Sequence, residues 1–236
     1  MKQIVILGLI GMLAGSAFAA DPSSKEKVTN ASKQLAGKTN YRWTTSTTEA
    51  DGSPGRLGTI DGKAEKDGVT GLSFSVGGFP VEVLMKGEKG AAKALEGWQS
   101  LDEIAQTGGT AAAIVRFLRS YQAPVAESAA LAGKVKELKE AEGAFSGELK
   151  EDAVKELLLF GTRPQEGQDA PKMADAKGSA KFWIKDGVLT KYETKIQGNV
   201  TVGDRVTDIN RTTTVEIKDA GSTKLEVPDD AKLKLN

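Results

Sequence analysis

The sequence predicts an α+β fold: a curved antiparallel sheet or incomplete β-barrel of about ten to eleven strands, with helices covering its concave face. Three observations predict it. Long stretches of the chain alternate with a period of two and are joined by short Gly-containing turns, so consecutive strands pair antiparallel. Helical periodicity interrupts this pattern only at the start and in the middle of the chain. So many strands in one sheet tend to curl, which gives the interrupting helices a concave face to cover.

The first segment is a leader. Lys2 supplies a positive charge, Ile4 to Leu13 is apolar apart from Gly8 and Gly11, and Ala17-Phe18-Ala19 has the small-x-small pattern of a cleavage site. Residues 1–19 therefore read as a cleavable bacterial-type signal peptide. The apolar run is shorter than the roughly 20 residues of a membrane-spanning helix. With no cysteine to acylate, the mature chain from Ala20 is expected to be exported as a soluble, periplasmic or secreted protein without a stable membrane anchor.

Residues 20–236 are expected to form a single domain. Ser23 or Ser24 caps a first helix with Val28, Ala31 and Leu35 at helical spacing and Gly37 as its stop. From Tyr41 the period becomes two. Tyr41, Trp43, Thr45 and Thr47 alternate with Arg42, Thr44, Ser46 and Thr48, and Asp51 to Gly55 turns the chain into a strand over about 56–66. Asp67-Gly68 signals a two-residue type I′ hairpin. The next two strands, 69–76 and 79–86, each put alternate apolar residues on one face: Leu72, Phe74 and Val76 in the first, and Phe79, Val81, Val83 and Met85 in the second. A short strand over 91–95 follows, and then Gly97-Trp98.

Helical insertions are predicted at about 100–132 and 151–160. Ser100 caps the first, with Asp102 and Glu103 in its opening turn. Ile114, Phe117, Leu118 and Tyr121 then form an i, i+3, i+4, i+7 stripe, and Pro124 opens a further helix over 125–132. Strands are expected at 134–141 and 144–149. In the second insertion Val154, Leu157 and Leu158 point inward. Residues 162–177 carry no periodicity and read as a long connection. The remainder reads as strand: 178–185 and 188–198 around Asp186-Gly187, 200–214 and 215–218 with a break near Gly203-Asp204, and finally 223–227, stopped by Pro228.

Composition excludes much chemistry. The chain has no His and no Cys, which removes the usual zinc sites, disulfides, thiol nucleophiles and Ser-His-Asp catalysis. Its 32 basic and 32 acidic residues balance, so net charge suggests no nucleic-acid partner. Aromatics are only 6% of the chain, few for the stacking platforms of a sugar-cleaving cleft. No catalytic residue, metal ligand or cofactor is expected, and the chain does not read as an enzyme. What remains is apolar: Trp43, Leu72, Phe74, Phe79, Val83, Met85, Ile114, Phe117, Leu118, Phe182, Ile184 and Tyr192 are the residues that would line a ligand cavity between sheet and helices. The same periodicity would equally fill a closed core, since it reports burial and not what is buried beside it.

Certain residues resemble a known superfamily. Lys181-Phe182-Trp183-Ile184-Lys185-Asp186-Gly187-Val188-Leu189-Thr190-Lys191-Tyr192-Glu193 is similar to a hairpin of the periplasmic LolA/LolB-like lipoprotein carriers and their mycobacterial LppX-like relatives. There an aromatic-rich strand turns at Asp-Gly into a strand of alternating charge. Thr223 to Pro228 resembles the closing strand of that family, and Gly97-Trp98 followed by Ser100-Leu101-Asp102-Glu103 is similar to exported relatives. The resemblance implies an incomplete antiparallel barrel with a helical lid over an apolar cavity. It implies a carrier of lipid or of the acyl chain of a lipoprotein, with Arg42 the position offered for the carriers' functional arginine. The alternative is a protein-interaction or stress-sensor module on the same fold, with an envelope protein as partner and no ligand transport.

Overall fold

The structure is a computed structural model and describes residues 23–94, 97–159 and 170–235. The leader lies outside these residues, as does the 162–169 part of the predicted connection.

After helix α1 (Ser24–Ala36) the chain runs outward as a meander: β1 (Asn40–Glu49), β2 (Pro54–Glu65), β3 (Val69–Val76), β4 (Phe79–Lys86), β5 (Lys89–Ala94) and β6 (Gly97–Ser100). Helices α2 (Leu101–Gln106), α3 (Gly109–Ser120) and α4 (Pro124–Lys134) follow. The second meander is β7 (Lys139–Ala141), β8 (Ala144–Glu148), β9 (Lys172–Lys185), β10 (Val188–Val202) and β11 (Arg205–Lys218), with α5 (Glu151–Leu159) between β8 and β9 and α6 (Asp229–Leu235) at the end.

All eleven strands form one open sheet in the order β6-β5-β4-β3-β2-β1-β11-β10-β9-β8-β7, and every pairing is antiparallel. The topology explains where the helices lie. β6 and β7 are the two outer edges, so the α2–α4 segment that joins them has to cross the whole sheet. It does so on the concave side, where Val115, Leu118, Leu131 and Ala132 join the main apolar cluster.

Several sequence expectations change. The Asp67-Gly68 hairpin is a three-residue loop, Lys66 to Gly68, in which Gly68 alone takes positive φ (85°). The two-residue form occurs instead at Asp186-Gly187, with φ of 52° and 75°. β9 begins at Lys172, so residues 172–177 are strand and not connection. β10 runs unbroken through Gly198 to Val202. Gly198 lies at a bulge, with the backbone of Ala176 3.1 Å from where a Cβ would stand. The strand predicted over 134–141 shortens to Lys139–Ala141: α4 takes Lys134, and Val135 makes only an isolated antiparallel bridge to Leu149.

Residues 223–227 form no ladder. They lie extended on the convex face, where Leu225 and Val227 pack with Val69, Leu84, Ala231 and Leu235 in a second cluster under α6. The second cluster thus covers the convex face at β3–β6, and the helices cover much of the concave face.

Candidate functional site

Antiparallel register assigns the inner face residue by residue, because directly opposed residues share a face. Leu72 opposes Val83, Phe74 opposes Val81, and Val76 opposes Phe79. Trp43 opposes Ile217, and Phe182 opposes both Tyr192 and Phe145. Of the expected lining residues, Trp43, Leu72, Phe74, Val83, Leu118, Phe182 and Tyr192 are buried in one inner cluster. Met85, Ile114, Phe117 and Ile184 pack against it partly exposed. Phe79 does not belong: it is 76% exposed. It shares a face with Val83, but it sits at the β3–β4 hairpin tip, beyond the reach of the helices.

Trp43 lies flat over Gly62, whose absent Cβ would stand 2.1 Å from the indole. Its Nε1–H donates to the Tyr121 hydroxyl at 2.8 Å. Phe117 of α3 meets the Phe74 ring edge-on at 6.3 Å between centroids and the Tyr121 ring at 5.9 Å. α3 thus reaches the sheet through large side chains. Its first residues need glycine: Gly108 and Gly109 take φ of 73° and 55°, and no side chain caps the helix.

The interior also holds a polar knot that the local sequence pattern did not reveal. Tyr192 donates its hydroxyl proton to Glu127 of α4. Burial raises the Glu127 carboxyl pKa above its ordinary value, and the tyrosine hydrogen bond and the Lys134 charge pull the other way. Tyr41 is pushed up to about 12, also by burial. Tyr121 is raised too, by burial first and by the nearby Glu127 charge. These are the three tyrosines of the chain, gathered from β1, the end of α3 and β10.

Further along the inner face toward the β10–β11 turn, the lining changes character. Thr47 and Thr213 face each other with hydroxyls 3.1 Å apart. One step on, Glu49 of β1 and Ile196 of β10 flank Arg211 of β11. The Arg211 Nη2 donates to the Leu157 carbonyl of α5 at 2.7 Å. Burial lowers its pKa, and the Glu49 charge opposes that shift. The signal for Arg211 was present in the sequence, since stepping back by twos from Ile217 and Val215 leads through Thr213 to Arg211. Arg42, offered for the carriers' arginine, faces outward and pairs with Asp219. Arg116 and Arg119 are solvent-facing, Arg119 pairing with Asp102.

Two grooves flank this interior. One, of about 620 Å³, opens beside Met85, Leu118, Arg119, Tyr121 and Ala123 at the end of α3. The other, of about 650 Å³, lies between α5 and β9 among charged residues that include Lys155, Lys177 and Lys195. Among the described residues no group of three or more His, Cys, Asp or Glu side chains gathers to hold a metal ion. None of the described helices is long and apolar enough to cross a membrane.

No family model and no curated protein matches the chain. Among solved structures the chain is similar to the lipoprotein LppX of Mycobacterium tuberculosis, with 11% identity and a TM-score of 0.45 over 85% of this chain and 96% of that one. It is similar to LprF of Mycobacterium bovis, with 11% identity and a TM-score of 0.44 over 88% and 96%. A LolA-superfamily protein of Nitrosomonas europaea aligns at 9% identity and a TM-score of 0.34 over 92% and 99%. These are distant likenesses of overall fold to LolA/LppX-like proteins.

Proposed function

We propose that the chain is an exported binding or carrier protein that holds an apolar ligand, a lipid or the acyl chain of a lipoprotein, between the sheet and its helical cover. The observation that carries this reading is the attachment of α3. It is joined to α2 through two left-handed glycines, and it meets the sheet through Phe117, Leu118 and Tyr121. Lifting α3 exchanges contacts between protein side chains for contacts with a ligand. Each methylene buried contributes about 0.8 kcal/mol, so an acyl chain needs no covalent chemistry and no metal to be held. Phe74, Val83, Met85, Ile114, Phe117 and Leu118 are the proposed walls. Capture and release then follow from movement of α3, and residues 1–19 supply the export address.

Phe117→Asp tests the reading. The wild-type protein, purified from the periplasm of an expression host with its leader intact, is expected to carry lipid in native mass spectrometry and to bind the apolar dye N-phenyl-1-naphthylamine. A charge placed at Phe117 faces the cost of desolvation, and dye affinity is expected to fall by about tenfold or more in a variant whose circular dichroism is unchanged. Unchanged dye affinity in that folded variant overturns the assignment of α3. An empty wild-type protein that takes up no dye overturns the carrier and leaves the protein-interaction module.

A further inference from the structure

We propose that the ligand is an anionic amphiphile, its carboxylate or phosphate head held by Arg211 beside the Thr47 and Thr213 hydroxyls and its chain directed under α3. The proposal rests on the carrier reading and names the class of molecule it carries.

The argument begins with the register. Arg211 stands on the inner face, in line with Thr213 and Val215 on its own strand and across from Glu49 and Ile196 on its neighbours. A guanidinium has five N–H donors and stays charged in any protein environment. Among the described residues it makes one hydrogen bond, to the Leu157 carbonyl. That carbonyl lies in the last turn of α5, where the helix end carries partial negative charge. Glu49 lies across the strand pair, and its charge is felt at Arg211. Thr47, Glu49, Arg211 and Thr213 are all half-buried and share one face, so this part of the concave sheet is partly open.

The surroundings fit a head-and-tail molecule. Residues two apart on a strand stand about 7 Å apart, so the Arg211 fork and the Thr213 hydroxyl can share one head group. The Thr47 hydroxyl is beside that of Thr213. A planar fork pairs with a carboxylate or phosphate through two parallel hydrogen bonds. From there the inner face becomes apolar in the direction of Ile60, Phe74 and Phe117, which gives the chain its path.

The experiment compares oleate and lysophosphatidic acid with oleyl alcohol, each titrated calorimetrically into the wild-type protein, Arg211→Met and Arg211→Lys. The wild type is expected to prefer both anions over the alcohol by about tenfold or more, the worth of a charge-assisted hydrogen bond. Arg211→Met is expected to lose that preference, its affinity for the anions falling about tenfold or more beyond any fall for the alcohol, and Arg211→Lys to keep part of it. Equal affinity for alcohol and anions in the wild type overturns the proposal while the carrier reading stands. So does a preference that survives in Arg211→Met, for then Arg211 only fastens α5 to the sheet. Failure of the wild type to bind any of the three overturns the carrier reading as well. A preference for one anion over the other distinguishes a fatty-acid head from a phosphate head.

Discussion

Glu127 is a carboxylic acid placed where its charge is poorly solvated, and that fixes the sign of a pH effect. It lies one turn into α4 and accepts the Tyr192 hydroxyl proton, with Tyr192 only 1% exposed. Burial holds its pKa above the ordinary carboxylate value of 4.5, although the tyrosine donor and Lys134 oppose the shift. Tyr121 and Tyr41 face the same space and add no positive charge. Above pH 4.5, then, the folded protein binds this proton more tightly than the unfolded chain does. The contribution to stability declines as pH rises through that window toward the folded pKa. Glu127→Gln removes the titration while keeping an acceptor for Tyr192. The melting temperature of the variant relative to wild type is expected to increase as pH is raised from 4 to 8; a difference that stays constant across the series refutes the assignment. Little of this knot was legible in the sequence. Tyr192 was readable as an inner residue from its strand, and Tyr121 from its helical stripe. Their convergence with Tyr41 and Glu127 depends on the β1–β11 closure and the crossover of α4, which no local period encodes. Arg211 was legible in principle, because its strand alternates regularly; a polar residue at an inner position is easily passed over when apolar ones are sought.

At the scale of elements, the antiparallel strands and their turns were readable because each is a local pattern. The C-terminal segment shows why a correct pattern can still mislead. Thr223, Leu225 and Val227 do alternate with exposed Lys224 and Glu226, and their burial follows the same alternation. The alternation comes from laying an extended chain on the convex face of β3–β6, not from pairing with a strand. Its backbone is tied at its start by the Thr223 N–H donating to the Asp219 carbonyl at 3.2 Å, and further on by a side chain, the Leu225 N–H donating to Glu65 at 2.7 Å. The helix after it carried its own signals, Asp229 and Asp230 in the first turn and Lys232 and Lys234 in the last. At seven residues it is too short to show a periodic stripe. Removing the residues beyond Pro228 uncovers Val69 and Leu84 and deletes the buried Ala231 and Leu235. From the worth of a buried aliphatic side chain, the loss is expected to be roughly 2–4 kcal/mol of unfolding free energy. Urea denaturation measures it. Dye binding on the concave side is expected to persist in the truncated protein, because none of these residues belongs to the inner cluster. Stability within error of wild type would show that α6 is not holding the sheet's outer face.

For the whole molecule, the helical cover divides into a fixed part and a hinged part. α1 and α4 are fastened together by the buried Ser32 and Ser128 hydroxyls at 2.9 Å, α1 is closed at its start by a capping box between Ser23 and Glu26, and α4 is held to β10 through Glu127 and Tyr192. α2 is anchored as well. The Glu103 carboxylate accepts from the Ser100 backbone N–H and hydroxyl and from Lys234 of α6, and these bonds pull its pKa down to about 2. α3 differs from all of these in starting at two left-handed glycines, and Pro124 follows close on its end. Its tie back to α2 is the solvent-facing Arg119–Asp102 pair, of a kind worth at most about 1 kcal/mol. α3 fully buries only Val115 and Leu118, against four residues each on α1 and α4; local opening takes place where fewer buried contacts resist it, so α3 is the segment expected to lift. Hydrogen exchange followed by mass spectrometry reads this directly. Amides of residues 112–120 are expected to exchange faster than those of residues 28–36, and saturating oleyl alcohol is expected to slow the first group while leaving the second unchanged. Equal rates in the two helices without ligand, or protection that falls on α1 instead of α3, would place the moving part of the cover elsewhere and remove the route by which a ligand enters.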